Sequence, residues 1–88
     1  MIPTFTAPYD LDEEGQHREF RIGWASWDRG KYKDRSIKFA YRDKGGKISR
    51  GSPEVPFSIL VDMIIVALEQ GELSPEEVIQ IKEAFRTA

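Results

Sequence analysis

Residues 55–71 read VPFSILVDMIIVALEQG, and this segment predicts one long helix that is apolar on nearly every side. On a helical wheel, Ser58, Asp62 and Glu69 share one narrow polar stripe, while apolar side chains fill the rest of the circumference. A surface helix that covers one sheet needs an apolar arc only a little over about 100° wide. We therefore expect this helix to be buried on more than one face.

The chain is too short to surround such a helix by itself, because 88 residues make one small domain. Each large apolar side chain gains about 1.5–3 kcal/mol on burial, so leaving four or five in water would cost most of a small domain's stability. We expect one face to pack on the chain's own sheet and another on a second copy. The candidate dimer interface comprises Ile59, Leu60, Met63, Ile64 and Ala67.

The alternative to a dimer is a monomer in which a second, short helix covers the spare face. Ser74 and Glu77 have the spacing of a capping box, in which the Ser hydroxyl accepts from the backbone of Glu77 and the Glu side chain reaches back. Val78, Ile81 and Phe85 then recur on one stripe of the helix that follows.

Four short antiparallel strands are predicted before the helices. Alternation at period two predicts strands over residues 17–27 and 36–42, and basic segments at 31–33 and 47–50 supply two shorter ones. The glycine pair at 45–46 is typical of a hairpin turn. Strands followed by helices indicate an α+β fold, with the long helix on one sheet face and the other face open.

The domain is predicted to span residues 17–88, preceded by a flexible acidic tail at residues 1–16. The tail contains Pro3, Pro8 and the run DLDEEG, and it offers little to bury. The run lacks the closing glutamate of a calcium loop, so a solvated tail is favoured over a metal site.

The net charge of −2 conceals a strong asymmetry along the chain. Residues 17–50 carry eleven basic and four acidic groups, a net charge of +7. Residues 1–16 carry −4, and residues 51–88, with two basic and seven acidic groups, carry −5. A concentrated positive patch raises the local potential and the rate of encounter with phosphates, so the middle of the chain predicts a polyanion-binding face.

Cations and aromatic rings are expected together on the outer face of the sheet. Cations that follow a phosphate backbone, with rings on which bases stack, suit a single strand, because duplex bases are already stacked. The competing interpretation is a solvated face whose charges only block edge pairing. The candidate nucleic-acid-binding residues are Arg21, Trp27, Lys31, Tyr32, Lys33, Lys38, Arg42, Lys44, Lys47 and Arg50, of which Trp27 and Tyr32 stack bases.

Enzymatic chemistry is not predicted, because no catalytic constellation is present in the sequence. His17 is the only histidine, the serines have no evident base, and the absence of cysteine rules out thiolate chemistry and disulfides. No metal or other cofactor is expected. The lack of cysteine, of an apolar leader and of a bilayer-length helix favours a cytoplasmic protein without membrane association.

Residues 20–64 carry a further pattern: FRIG at 20–23, IKFAY at 37–41, the glycine turn at 45–46, and KISRG at 47–51 before the long helix. In these features the segment resembles the single-stranded-DNA-binding domain of the transcriptional positive cofactor 4 family, which includes bacterial and phage members. That family shares its fold type with the plant Whirly proteins. The resemblance covers about half of the chain and its motifs are loose.

The resemblance implies four curved antiparallel strands followed by a helix, a dimer formed through helices and sheet edges, and melted DNA lying across the strands. By position, Lys38 corresponds to a basic DNA-contacting place and Tyr41 to an aromatic one, although the alternation turns Tyr41 inward. Lys47 and Arg50 correspond to the basic approach to the last strand. The chain departs from the family at residues 52–54, where further basic residues and a glycine are typical.

These observations predict a dimeric, non-enzymatic protein that binds single-stranded DNA, with RNA left open as a ligand. The resemblance is to a transcription coactivator, so we expect a role in transcription regulation or in DNA replication and recombination. The alternative is a small dimeric interaction module that docks an acidic protein partner through the same sheet. The acidic tail and the C-terminal helix are two further candidate sites for a protein partner.

Overall fold

The computed structural model describes residues 1–11, 17–42 and 45–88, with only the backbone described at 8–11, 17 and 18. The elements are β1 (Ile2–Leu11), β2 (His17–Trp24), β3 (Arg35–Tyr41), β4 (Glu54–Pro56), α1 (Phe57–Glu69) and α2 (Pro75–Thr87). The four strands form one antiparallel sheet in the order β1-β2-β3-β4. The predicted α+β arrangement, a four-stranded antiparallel sheet followed by two helices, is confirmed.

Two of the four predicted strands are present and two are not. β2 and β3 lie where the alternation predicted them, although β2 ends at Trp24 and a 3-10 turn at Ser26–Asp28 follows. The short strand predicted at residues 31–33 is wrong, because this segment lies in the loop between β2 and β3. Residues 47–50 are likewise no regular strand, and only an isolated bridge between Arg42 and Ile48 continues the pairing there.

The N-terminal segment is a strand rather than the flexible tail predicted for residues 1–16. Residues 2–11 pair antiparallel with β2, with register shifts after Pro3 and after Pro8. An edge strand tolerates prolines because its outward N–H groups have no ladder partner, so the prolines did not exclude a strand here. Gly23 of β2 permits the close approach, since a Cβ at that position would collide with the backbone of β1. Residues 12–16 lie outside the described residues.

The sheet has two distinct faces. The inner face carries α1, and Phe20 and Phe39 lie opposite one another on it, with their ring centroids 5.6 Å apart. The outer face carries Arg21 and Lys38, which are opposite one another in the same register. α1 packs against β3 and β4, and its Leu60 lies beside the inner-face side chains. The predicted alternation of β2 and β3 is therefore confirmed.

The helix predicted from Val55 begins instead at Phe57, because Val55 and Pro56 belong to β4 and pair with β3. The end of α1 and the start of α2 lie where the sequence predicted them. Gly71 adopts a φ of 68°, and its N–H donates to the carbonyl of Leu68 in the left-handed cap that ends α1. The capping box of α2 has both of its bonds, since the Ser74 hydroxyl accepts from the Glu77 backbone and the Glu77 carboxylate accepts from the Ser74 backbone. Neither helix within the described ranges is long and apolar enough to cross a membrane.

Burial is shallow within the single chain. Among the described side chains, the buried ones are small, namely Ala25, Ala40, Ser36 and Ser52. α1 has no buried residue, and α2 does not cover it in the way that the monomer alternative requires, because α2 has no extensive packing against any element in the described chain. The apolar circumference of α1 thus remains largely uncovered by its own chain.

Candidate nucleic-acid interface

Three cationic side chains, Arg21, Lys38 and Arg42, share the outer face and are called the outer-face cations below. Nη2 of Arg21 donates to Oε1 of Glu19 over 2.9 Å, and Nη2 of Arg42 lies 3.8 Å from the same oxygen. Nη1 of Arg42 also donates to the carbonyl of Gly46 over 3.0 Å. One carboxylate therefore orients two guanidinium groups on neighbouring strands.

Lys38 completes the group in a different way. Its ammonium has no hydrogen-bond or ion-pair partner within the part of the chain that the structure describes, although it lies directly opposite Arg21. Like charges opposite one another on neighbouring strands destabilise a sheet. Lys38 also lies opposite Glu54 on β4, but that carboxylate is held by hydrogen bonds from Ser26 and Ser36. The half-buried ammonium is therefore available to an anion, which would relieve the repulsion if it bound between Lys38 and Arg21.

The loop between β2 and β3 is organised by one carboxylate. Asp28 accepts backbone N–H bonds from Gly30, Lys33 and Asp34 at 3.0–3.1 Å. The bond from Asp34 is the largest cause that lowers the pKa of the Asp28 carboxyl below its ordinary value, and those from Lys33 and Gly30 act in the same direction. The loop turns tightly around this group and presents Lys31 and Lys33 to solvent.

Trp27 and Tyr32 both lie in this loop and expose much of their rings. The indole Nε1 of Trp27 donates to Oδ2 of Asp34 over 2.9 Å, and the residue is 44% exposed. Tyr32 is 58% exposed, and its ring meets that of Trp24 edge-on at 5.8 Å. Trp24 belongs to the inner face, so Tyr32 lies at the end of the sheet. The sequence had predicted a position among or beside the cations of the outer face.

Tyr32 also adopts an unusual backbone conformation, with a φ of 56°. The left-handed region costs a residue with a side chain about 1–2 kcal/mol, and a bulky residue there is uncommon. A ring held outward at this cost suggests a role outside folding, because strained residues concentrate at functional sites. Tyr32 is the clearest candidate for a residue kept for contact with a ligand.

Replacing Tyr32 by glycine should separate binding from folding. Relief of the left-handed strain offsets the lost ring contact and the greater freedom of glycine in the unfolded chain, so the free energy of unfolding is expected to change by less than about 1 kcal/mol. Loss of a stacked base should weaken oligonucleotide binding by about 1–3 kcal/mol. Urea titration measures the free energy of unfolding, and fluorescence anisotropy measures the affinity for the oligonucleotide.

Arg29→Gly is the matched control for this variant, because Arg29 lies in the same loop with a φ of 52°. It relieves similar strain and removes no ring, so its effect on affinity should not exceed about fivefold, the worth of one phosphate contact near 0.1 M salt. Equal losses of affinity in the two variants would remove stacking as the role of Tyr32.

Sequence reasoning missed Glu54, which ties the loop to the sheet. Its carboxylate accepts from the Ser26 backbone N–H at 3.1 Å, the Ser26 hydroxyl at 2.7 Å and the buried Ser36 hydroxyl at 2.8 Å. Burial acts to raise the pKa of Glu54, but these hydrogen bonds outweigh it and hold the pKa below its ordinary value. No local pattern marks this residue, because its partners lie 18 and 28 positions away.

Arg35 is a second residue that the sequence pattern did not single out. Its guanidinium lies 4.6 Å from the centroid of the Trp24 ring, and its Nη2 donates to the Thr4 hydroxyl over 2.6 Å. This stacking places a cation beside Tyr32 at the same end of the sheet. The alternation of β3 could have located this residue, because it places Arg35 on the same face as Ile37.

The remaining candidates lie at the opposite end of β3. Lys47 and Arg50 are exposed in the connection between β3 and β4, and Lys44 lies outside the described residues. Tyr41 lies on the inner face, as the alternation predicts, with its ring 6.0 Å from that of Phe39. The cations therefore extend along β3 from one loop to the other, over a strand length of about 20 Å.

The outer face is mixed in charge rather than purely basic. Glu19 and Glu54 lie on it beside the outer-face cations, and both carboxylates are held by hydrogen bonds or ion pairs. Positive charge is concentrated instead in the two loops at the ends of β3. A polyanion bound along β3 would contact the cations of both loops and, between them, Arg21 and Lys38. Glu19 and Glu54 would repel it less than free carboxylates, because both are already paired.

Comparison of the chain with protein-family models, with curated proteins and with solved structures found no significant match. The resemblance to the positive cofactor 4 family stays a prediction from the motifs quoted above.

Proposed function

We propose that this chain is a non-enzymatic protein that binds single-stranded DNA along β3. The phosphates lie between Arg21 and Lys38 on the outer face, and the strand ends at the loop that carries Trp27 and Tyr32. The observation that carries the proposal is the direct cross-strand opposition of Arg21 and Lys38, with no protein partner for Lys38 in the described residues. The repulsion between these two cations destabilises the free protein, and a bound anion relieves it.

The loop supports a single strand over a duplex as the ligand. An unpaired base can lie flat on an exposed ring, and each stacked base contributes about 1–3 kcal/mol. Trp27 and Tyr32 present such rings in a loop that also exposes Lys31 and Lys33. A role in transcription regulation, replication or recombination follows as part of the proposal from the resemblance described above.

The proposed protein is a dimer that assembles through α1. The face predicted for this contact includes Ile59 and Met63, which are 45% and 54% exposed in the single chain. A dimer carries two outer faces, and one longer strand that reaches both gains affinity from the raised effective concentration.

The test is a titration of labelled oligo-dT of about 20–30 nucleotides at several salt concentrations, with a duplex of equal length as the comparison. We expect tighter binding of the single strand and a steep loss of affinity with salt, because phosphate contacts release counterions. Absence of binding at low salt would overturn the proposal and favour the docking of an acidic protein partner. An equal affinity for duplex would agree with phosphate binding by the cations but would contradict base stacking on Trp27 and Tyr32.

A further inference from the structure

α1 exposes far more apolar surface than a helix on a sheet normally does. Seven of its thirteen residues are large, apolar and 36–55% exposed, on several sides of the helix. The seven residues are Ile59, Val61, Met63, Ile64, Ile65, Val66 and Leu68. An open groove of about 420 Å³ runs along this surface beside Met63, Val66 and Ala67. Apolar surface of this extent marks an interaction site.

The single chain also exposes more surface and is less compact than a stable monomer of its size. Its accessible surface is 6990 Å², whereas a compact monomer of this mass exposes about 5,300 Å². Its radius of gyration is 14.9 Å, against about 12 Å for a compact domain of this length. The excess of about 1,700 Å² per chain gives about 3,400 Å² for two, within the range of obligate homodimers.

α2 is only weakly packed within the described part of its own chain, where Val78 and Ile81 are half-buried. It has no extensive packing against any described strand or helix, and Ile79 and Phe85 are 57% and 75% exposed. Isolated helices of about thirteen residues are marginal in water, so α2 depends on packing for its stability. Its capping box and apolar stripe indicate a helix that is built to lie on an apolar surface.

The matching surface is the half of the inner sheet face that α1 leaves open. α1 packs on β3 and β4, and Phe20 of β2 lies at the edge of the covered part, where it lines a cavity with Leu60 and Met63. Phe5 of β1 lies beyond it on the inner face, and Phe5 and Phe20 are 58% and 37% exposed. Ala7 lies opposite Phe20 and widens the same strip. One chain thus has an uncovered apolar strip on its sheet, and it also has a helix, α2, whose apolar side chains are largely exposed.

We propose that two copies of this chain exchange α2, while α1 of each copy stays on its own β3 and β4. α1 packs against α1 of the second copy, and α2 crosses to cover the strip around Phe5 and Phe20 on the other copy's sheet. Every contact occurs twice under the two-fold symmetry of such a dimer, which satisfies both surfaces in both chains. The inference rests on the dimer of the proposed function and is independent of strand binding.

Cross-linking tests which copy α2 covers. The chain has no cysteine, so Ala7→Cys in one copy and Ala84→Cys in another introduce single thiols on the strip and on α2. The two variants are mixed, unfolded and refolded together, and treated with a short bis-maleimide. We expect a cross-link between chains that carries one thiol of each kind. Glu83→Cys, on the side of α2 opposite Ile81 and Phe85, replaces Ala84→Cys in the control and should give at least about tenfold less product.

Light scattering and a chain carrying both Ala7→Cys and Ala84→Cys complete the test. The unmodified chain at about 50 μM should have about twice the mass of one chain of 10.1 kDa. A monomer at that concentration overturns both the exchange and the dimer. A dimer in which the doubly substituted chain cross-links only within itself, or in which no mixed product forms, overturns the exchange alone.

Phe85→Glu provides an independent measure on the uncross-linked protein. It should raise the dissociation constant of the dimer at least about tenfold, because a charge cannot be buried on the apolar strip without a partner. Gln80→Glu adds the same charge to the same helix and should leave the constant within about twofold. Affinity for a short oligo-dT is measured on both variants, and a loss there with the dimer intact would count against the proposed function only.

Discussion

Replacing Arg21 and Lys38 together by glutamine is expected to weaken binding of oligo-dT about 25-fold at about 0.1 M salt. Each phosphate contact with a single strand contributes a slope of about −0.7 to the dependence of log affinity on log salt concentration. Two lost contacts should therefore make that slope shallower by about 1.4. Anisotropy titrations at four or five salt concentrations give both the affinity and the slope.

The same substitutions should not damage the fold. Lys38→Gln alone removes both the repulsion with Arg21 on β2 and the attraction to Glu54 opposite it on β4, so the free energy of unfolding is expected to change by less than about 0.5 kcal/mol as the protein loses affinity. Lys82→Gln with Arg86→Gln makes an equal charge change on α2 and serves as the control. If the control weakens binding as much as the outer-face variant does, the positive charge acts through the whole molecule and not through this site.

Replacing Glu54 by alanine is expected to lower the free energy of unfolding by about 2–3 kcal/mol. The Ser36 hydroxyl is fully buried and donates to Glu54, so its removal leaves a buried donor without an acceptor. The Ser26 N–H and hydroxyl lose the same partner, which frees the turn that carries Trp27. Urea unfolding at one fixed protein concentration measures the change, because dimerisation links stability to concentration.

The pH dependence of the free energy of unfolding provides a second test of the role of Glu54. The folded-state pKa of Glu54 is lowered from its ordinary value of 4.5, so its stabilisation is complete above that value and is lost as the pH falls through the lower folded-state pKa. Glu54→Ala should therefore lose stability less steeply on acidification than the unmodified protein. Glu69→Ala, at an exposed position near the end of α1, should change stability by less than about 0.5 kcal/mol. Parallel acid unfolding of Glu54→Ala and the unmodified protein would contradict the assignment.

The candidate site was only partly predictable from the sequence. The alternation of β3 placed Lys38 and Arg42 together on the outer face, because side-chain direction in a strand follows from position alone. The same alternation was extended too far in β2, which ends at Trp24, so Trp27 was placed on the face and lies in a turn instead. The tight loop depends on Asp28 and its three backbone donors, and no periodic pattern encodes such an arrangement.

Local signals determined the helices and the two central strands. The capping box of Ser74 and Glu77, the left-handed cap at Gly71 and the alternation of β3 all involve residues at most a few positions apart. Interactions at that range are present in the chain before it folds, so their pattern can be read directly.

Only the tertiary structure decided what lies at the sheet edges and what remains uncovered. β1 is a strand because β2 offers it a ladder, despite Pro3 and Pro8. Glu54 belongs to the site because Ser26, 28 positions earlier, is brought to its carboxylate. The sequence showed that α1 is apolar on nearly every side, but only the packing of α1 on β3 and β4 showed which apolar surfaces the chain leaves open. Such long-range pairings depend on closing loops, and loop closure is governed by the whole fold and not by any short pattern.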